Sequence, residues 1–390
     1  MLNLPLVPPR NTLVAFAALA SLTSPFAIAN SQTEQEEDSP ANFDSPTMEV
    51  VFVLDTTGSM SGLIAGAKQK IWQIADKLKS AKPTPNIRFG LIGYRDRGDD
   101  YITRTYPLSD NIDEVYGNLM QFQANGGGDE PESVNQALYE AVSQMQWDSD
   151  RSTLKTIFLV GDARPHMDYQ DDVKYEVTCE LAQAKGILIN TIQCGSKSQT
   201  ASFWRSISDM TNGTYAAIQQ QGGTIVVETE WDPVINDLNI QLDSTIIPYG
   251  SLKEQSYARK NRSLLAGMSS SAIADRSNYL FKSGKSKVIA GSGDLVEMVM
   301  SGKLDYDKIE KDKLPPELQE LDTSELKNLI EEKSAQRESI QDEIRDNLAR
   351  RNAYVEEEMS KFSESDKEEV FELSAFEALE KQAVAAGYSF

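Results

Sequence analysis

At 390 residues the chain is longer than one ordinary domain, and two domains are the expectation. A formal net charge of −22 argues against a nucleic-acid surface, whose phosphates call for a basic face, and favours basic partners or divalent cations. With 40% apolar residues the chain can still build a real core.

The first segment predicts an export signal. Arg10 supplies a positive charge, residues 13–29 are apolar and rich in small side chains, and Ala27-Ile28-Ala29 forms an A-x-A cleavage pattern ahead of a polar stretch. The run is short for a membrane anchor and contains Pro25, so cleavage after Ala29 is expected, with the mature chain periplasmic or extracellular. Residues 30–46 read as a disordered acidic spacer.

An apolar strand over residues 49–54 then runs into Asp55-Thr56-Thr57-Gly58-Ser59-Met60. A loop leaving a strand can aim its alternate residues Asp55, Thr57 and Ser59 into one space. All three offer hard oxygen ligands, which suit magnesium, manganese or calcium better than zinc. The bland alternative is a helix cap or turn built from the same residue types. Leu63, Ala67, Ile71, Ile74 and Leu78 recur at turn spacing and predict the next helix.

Residues 87–94 and 187–192 are nearly continuous apolar runs, as strands covered on both faces require. Further strands are expected over 101–106, 154–160 and 214–218. A glycine-rich loop, Gly126-Gly127-Gly128-Asp129-Glu130-Pro131-Glu132-Ser133, precedes a helix over 134–145; it lacks the glycine spacing and the lysine of a nucleotide-binding loop. The strand at 154–160 ends in Gly161-Asp162. Open parallel sheets bind ligands beyond the carboxyl ends of their strands, where both Asp55 and Asp162 fall. Just beyond, the lone His166 is either a structural hydrogen-bonding residue or a group reaching the site rim. Val173, Val177, Leu181 and Ala184 mark a helix stopped by Gly186. The two cysteines, Cys179 on that helix and Cys194 at the end of the following strand, fit either a disulfide or two buried thiols. Alternating strands and helices imply an α/β fold, a doubly wound, mainly parallel sheet with helices on both faces.

From residue 223 onward a mainly α-helical region is expected. A helix over 231–247 is broken by Pro248-Tyr249-Gly250, and a basic stretch follows over 251–287. Residues 322–362 read as one long charged helix, opened by an Asp322–Glu325 capping pair. Ile340, Ile344 and Leu348 share a face, but Lys333, Arg337 and Arg351 interrupt any coiled-coil seam, which favours a helix packed on its neighbours. A terminal helix over 370–386 carries an apolar stripe that could dock a partner.

The D-x-T-x-S run at Asp55, Thr57 and Ser59, with the later loops in the right order, resembles the von Willebrand factor type A family and its metal-ion-dependent adhesion site. The likeness covers residues 48–218; the domain is set at 47–222, between the spacer and the helical region at 223–390. The runs Phe89-Gly90-Leu91-Ile92-Gly93-Tyr94-Arg95-Asp96-Arg97, Phe203-Trp204 and Asn212-Gly213-Thr214-Tyr215 are similar to family signatures. Their implied jobs are structural, with Trp204 packing a helix on the sheet and Gly213 turning the chain. The family also carries a short antiparallel edge strand, for which 103–108 is the candidate. In the family a second-loop threonine and a third-loop aspartate complete the metal shell. Asp162 matches the aspartate. No threonine stands in the second loop; Asp129 is the candidate for its place, with Glu130 and Glu132 as substitutes. That departure adds negative charge, which raises cation affinity and lowers attraction for an acidic partner.

The short signal and the sparse cysteines imply an exported bacterial protein, and the resemblance implies a module that holds a divalent cation, magnesium first with manganese or calcium as alternatives, on Asp55, Thr57, Ser59, Asp129 and Asp162. An open coordination position would take a carboxylate from a partner protein. An enzyme is not expected: a hydrolytic triad could draw only on His166, and no G-x-S-x-G frames a serine. The rival expectations are a component of an envelope assembly acting through the helical tail, and a metal-assisted hydrolase.

Overall fold

The computed structural model describes residues 46–128, 130–251, 253, 255–256, 263, 267–282, 293–363 and 370–390. The export signal, the acidic spacer, Asp129 and most of the basic stretch lie outside the described residues.

Strand β1 (Thr47–Asp55) is buried along nearly its whole length because both of its faces are covered. It pairs in parallel with β2 (Asn86–Tyr94) on one side and β4 (Leu154–Gly161) on the other. Beyond β4 lie the parallel strands β5 (Ile187–Cys194) and β6 (Tyr215–Ile218). β3 (Thr103–Ser109) closes the opposite edge antiparallel to β2, giving the order β3-β2-β1-β4-β5-β6. The connecting helices are α1 (Ser61–Lys79), α2 (Ile112–Leu119), α3 (Val134–Ser143), α4 (Tyr175–Lys185) and α5 (Ser198–Met210). Strand alternation sorts the core: Val50, Phe52 and Leu54 pack with α1 and α2, while Val51 and Val53 pack with α3, α4 and α5. The expected doubly wound α/β sheet is present, with a helical region after it.

Trp204 is fully buried between α5 and the sheet, as its pattern implies. Gly213 has a different job from the one expected. Asn212 takes the left-handed turn conformation (φ 54°), whereas a Cβ on Gly213 would lie 1.9 Å from the Ile189 carbonyl oxygen, so Gly213 permits close backbone approach. The disulfide alternative is excluded. Cys179 belongs to the core on the α4 face and Cys194 to the core on the α1 face, with the sheet between two free thiols.

Among the described residues the further α-helices are α6 (Trp231–Asp243), α7 (Ser270–Lys282), α8 (Leu295–Met300), α9 (Thr323–Ser360) and α10 (Phe371–Ala385). The helix expected over 231–247 stops early because the Ser244 and Thr245 hydroxyls donate to the Gln241 and Leu242 carbonyls at its end. α9 opens with the predicted capping box, in which Asp322 and Glu325 bond reciprocally at 2.8 and 2.9 Å. Its seam-breaking arginines turn out to be anchors. Arg351 reaches Asp232 on α6 at 2.6 Å and Asp275 on α7 at 2.9 Å. Arg337 reaches Asp294 at 2.8 Å and the Thr245 hydroxyl at 3.0 Å. Ile235, Leu238, Ile344 and Leu348 fill a second core between these helices.

Helix α10 returns to the sheet. Phe371 approaches Phe52 with ring centroids 6.3 Å apart, and Ala375, Ala378, Leu379 and Ala383 join the core on the α1 face. Below them Gln382 and Asn190 of β5 exchange amide hydrogen bonds of 2.8 and 3.2 Å. The stripe that the sequence offered for a partner is thus buried within the chain. Among the described residues no helix is long and apolar enough to cross a membrane.

Candidate functional site

The order of strands reverses at β1 and β4, and the crevice beyond their carboxyl ends is where Asp55 and Asp162 meet. Asp55 closes β1 with no solvent exposure. Its Oδ1 accepts from the Thr57 backbone N–H at 2.8 Å and the Thr57 hydroxyl at 2.7 Å, which curls the loop back over the strand end. The Thr57 and Ser59 hydroxyls stand 3.2 Å apart. Neither the short turn Gly58–Met60 nor α1 behind it has a side-chain cap. Asp55, Thr57 and Ser59 are therefore tied to one another, and capping does not account for them. The second Asp55 oxygen, Oδ2, is buried without a partner.

Asp162, the first residue after β4, is 4% exposed. Its Oδ2 accepts from Gln220 Nε2 at 2.7 Å, and its backbone oxygen accepts from the Thr200 hydroxyl at 3.1 Å. Gly161 before it has no room for a side chain: a Cβ there would meet the Tyr94 hydroxyl at 2.4 Å and Asp55 Oδ2 at 3.1 Å. The two acids can approach only because this residue is glycine.

The second loop forms the opposite wall. Gly126 and Gly127 have positive φ of 73° and 70°, and a Cβ on Gly127 would lie 3.1 Å from Thr57 Cβ. The Gly58 amide donates to Gly126 oxygen at 3.1 Å, and the Gly127 amide is held by the Asp99 carboxylate at 3.2 Å. Behind it Arg95 donates to the carbonyls of Thr56 at 3.1 Å and Gln123 at 2.7 Å, which locks the first and second loops together.

Asp129 lies outside the described residues. Glu130 pairs with Lys197 at the rim. Glu132 is different: it is 3% exposed, its backbone bridges Arg164 and His166 (both 3.1 Å), and its Oε2 has no partner. Burial, reinforced by the charges of Asp55, Asp96, Asp99 and Asp162, pushes its carboxyl up to about 9. Asp55 is pushed up to about 7, chiefly by burial and further by Asp162, against the lowering effect of the Thr57 hydrogen bonds. Two orphaned buried carboxylate oxygens that resist carrying charge are what a cation would satisfy.

Thr57, Ser59, Glu130, Glu132, Asp162 and Lys197 line a cleft of about 520 Å³ over this floor. The donors are carboxylate and hydroxyl oxygens, a set that fits magnesium, manganese or calcium. Among the described residues no three Asp, Glu, His or Cys side chains converge as a ready-made metal cluster, so the hydroxyls are integral to the set. His166 is held through one ring nitrogen. Its Nδ1 lies 2.8 Å from Asp168 Oδ1 and its ring stacks on Tyr169 at 3.9 Å, while its Nε2, 3.3 Å from Asp96 Oδ2, is buried without a hydrogen-bond partner. Gln220, Lys197 and Tyr94 were not expected at the site. Gln220 and Lys197 are ordinary polar loop residues with no local pattern, and Tyr94 reads as a core strand position.

A sequence profile of the von Willebrand factor A domain matches residues 49–230. Human von Willebrand factor A domain-containing protein 7 is 30% identical over 149 residues, covering 38% of this chain and 15% of that protein. A putative ariadne-like RING finger protein of Acanthamoeba polyphaga mimivirus is 23% identical over 198 residues, covering 47% of this chain and 19% of that protein. The chain spans less than a fifth of the length of these curated relatives. Among solved structures, the conserved hypothetical protein BatB from Bacteroides thetaiotaomicron aligns over 57% of this chain and 100% of its own at 14% identity, with a TM-score of 0.34. Proximal thread matrix protein 1 from the mussel byssus, with a zinc-occupied MIDAS motif, aligns over 45% of this chain and 42% of its own at 15% identity, with a TM-score of 0.36.

Proposed function

Starting from a von Willebrand factor A domain over residues 49–230, we propose that the chain is an exported, metal-ion-dependent protein-binding module. The observation that carries this is the Asp55 carboxylate, buried with one oxygen unpartnered beneath a cleft of acids and hydroxyls. Asp55 and Asp162 supply the charge that holds a divalent ion, with Asp129 as a further candidate. Thr57 and Ser59 supply neutral oxygens, and Gln220 fixes the Asp162 carboxylate from behind. The ion, magnesium before manganese or calcium, would present a Lewis-acidic position to an oxygen of a partner protein. Export rests on the pattern of residues 1–29. A binding role is favoured over hydrolysis because the one imidazole in the chain lies between Asp96 and Asp168, away from the cleft hydroxyls.

Calorimetric titration of magnesium, manganese and calcium into the chelator-treated chain tests this. Saturable binding that vanishes in Asp55→Ala, and partner capture that depends on the same ion, are the expected results. Absence of binding for all three ions in a folded wild type would sink the proposal.

A further inference from the structure

The chain contains two Asn-Gly pairs, Asn125-Gly126 and Asn212-Gly213. An asparagine before glycine can cyclise onto its own backbone, because glycine has no Cβ to shield the attacking nitrogen. In a folded chain the reaction needs that nitrogen and the side-chain amide to be free. The structure separates the two pairs on this point. The Gly213 N–H donates to the Ser208 carbonyl at 2.9 Å, and the residue is wedged on β5, where a Cβ would lie 1.9 Å from the Ile189 oxygen. Attack from Gly213 must break that bond in a space with no slack. Asn125 and Gly126 are exposed, and among the described residues neither the Gly126 N–H nor the Asn125 side chain has a hydrogen-bond partner. The loop is anchored by the Asn125 N–H on the Thr56 carbonyl and by the Gly126 carbonyl on the Gly58 N–H, both at 3.1 Å. Neither anchoring group is an atom of the ring that closes, so both bonds can persist through the reaction.

We propose that Asn125 is a self-modification site, which converts without an enzyme to aspartate or isoaspartate on the wall of the cleft. The Gly126 nitrogen gives its proton to hydroxide and bonds to Asn125 Cγ, the Cγ–Nδ2 bond breaks, and ammonia leaves. Water then opens the succinimide that results. Cleavage between the nitrogen and Cγ restores the chain with an aspartate side chain. Cleavage between the nitrogen and the Asn125 carbonyl carbon reroutes the backbone through Cγ as isoaspartate. Either product sets a new carboxylate beside Gly126, Gly127 and Gly128, which line the cleft with Thr57 and Ser59. The second loop therefore gains an acid with age. That charge draws a divalent ion more strongly, a consequence that rests on the metal-site proposal, whereas the modification itself does not.

Peptide mapping by mass spectrometry on the full chain decides it. One sample is kept folded at pH 8 and a second unfolded in urea, and both are followed for the exchange of amide for acid, with an isoaspartyl methyltransferase reporting isoaspartate. In urea the two asparagines should convert at similar rates, since each is followed by glycine. In the folded chain Asn125 should convert at least about tenfold faster than Asn212, a barrier difference of about 1.4 kcal/mol. Equal rates in the folded chain, a faster Asn212, or an Asn125 that converts only in urea would overturn the proposal. The consequence is read by calorimetry with manganese at low ionic strength. Asn125→Asp should bind a few-fold more tightly than the wild type, and the gain should shrink in salt. If the two bind alike, the charge effect is overturned and the modification stands on its rates. If the wild type binds no ion, the metal-site proposal fails, while the mapping still decides the modification.

Discussion

In the metal-free protein, Asp55→Asn should stabilise the chain while destroying its response to divalent ions. The substitution keeps an oxygen at Oδ1 for the two Thr57 bonds and removes a charge that has no solvent and no cation. Burial raises the folded Asp55 carboxyl from an ordinary 3.8 to about 7, so between those values the folded chain binds more protons than the unfolded one. Stability therefore falls as pH rises from about 4 to about 7 and loses nothing further from this group above that. At about 1.4 kcal/mol per pH unit the loss reaches at most about 4 kcal/mol. Asparagine has no such slope. At pH 8 in chelator the variant should melt higher than wild type by roughly 5 to 15 °C, at about 2–4 °C per kcal/mol. Magnesium at a hundred times its dissociation constant should return about 2.7 kcal/mol to the wild type and nothing to the variant. Differential scanning calorimetry at pH 5 and pH 8, with and without magnesium, reads all of this. A variant that melts lower than wild type at pH 8 in chelator, or that gains equally from magnesium, would refute the reasoning.

Other perturbations probe the frame around the site. Glu132→Gln should flatten the fall in metal-free stability between about pH 4.5 and about pH 9, since the folded carboxyl sits at the upper value; urea unfolding across that range is the check. Arg351→Met leaves Asp232 and Asp275 buried without their cation and should cost about 3–5 kcal/mol by chemical denaturation; a loss below about 1 kcal/mol would mean the pairs are idle. Gln382→Leu removes the acceptor shared by Asn190 Nδ2 and the Thr156 hydroxyl, leaving the Asn190 oxygen on Thr214, and should cost about 1–3 kcal/mol, with near-additivity to Asn190→Leu counting against their coupling. Lys197→Ala removes a positive charge beside Asp162 and should raise divalent affinity a few-fold at low ionic strength, an effect that shrinks in salt.

The sheet was legible because its strands are covered on both faces and so are written as unbroken apolar runs, while α1 repeats its apolar residues at turn spacing. Asp55, Thr57, Ser59 and Asp162 were legible because they sit within a few residues of strand ends, where local sequence alone decides direction. Glu132 was harder to single out among three neighbouring acids, since what distinguishes it is a backbone bridge to a segment some thirty residues on. Gln220 and Lys197 carried no local sign at all. Arg337 and Arg351 pointed correctly to a helix packed on its neighbours, but not to the acids they would meet. A charge on a helix face reads as a break in the seam until the acid facing it from another helix is known, and no period within α9 reports that acid.

Helix α10 gives the domain an unusual order of assembly. β1 leaves the ribosome roughly three hundred residues before the helix that roofs its neighbours β4 and β5. Until Phe371 and the residues after it arrive, Phe52 lacks the Phe371 ring and the Asn190 Nδ2 lacks its Gln382 acceptor. A nascent chain stays in that state for many seconds at ordinary rates of synthesis. The last described helix acts as a latch on the first strand's layer, so a chain shortened by even its final twenty residues is a different folding problem from the intact one.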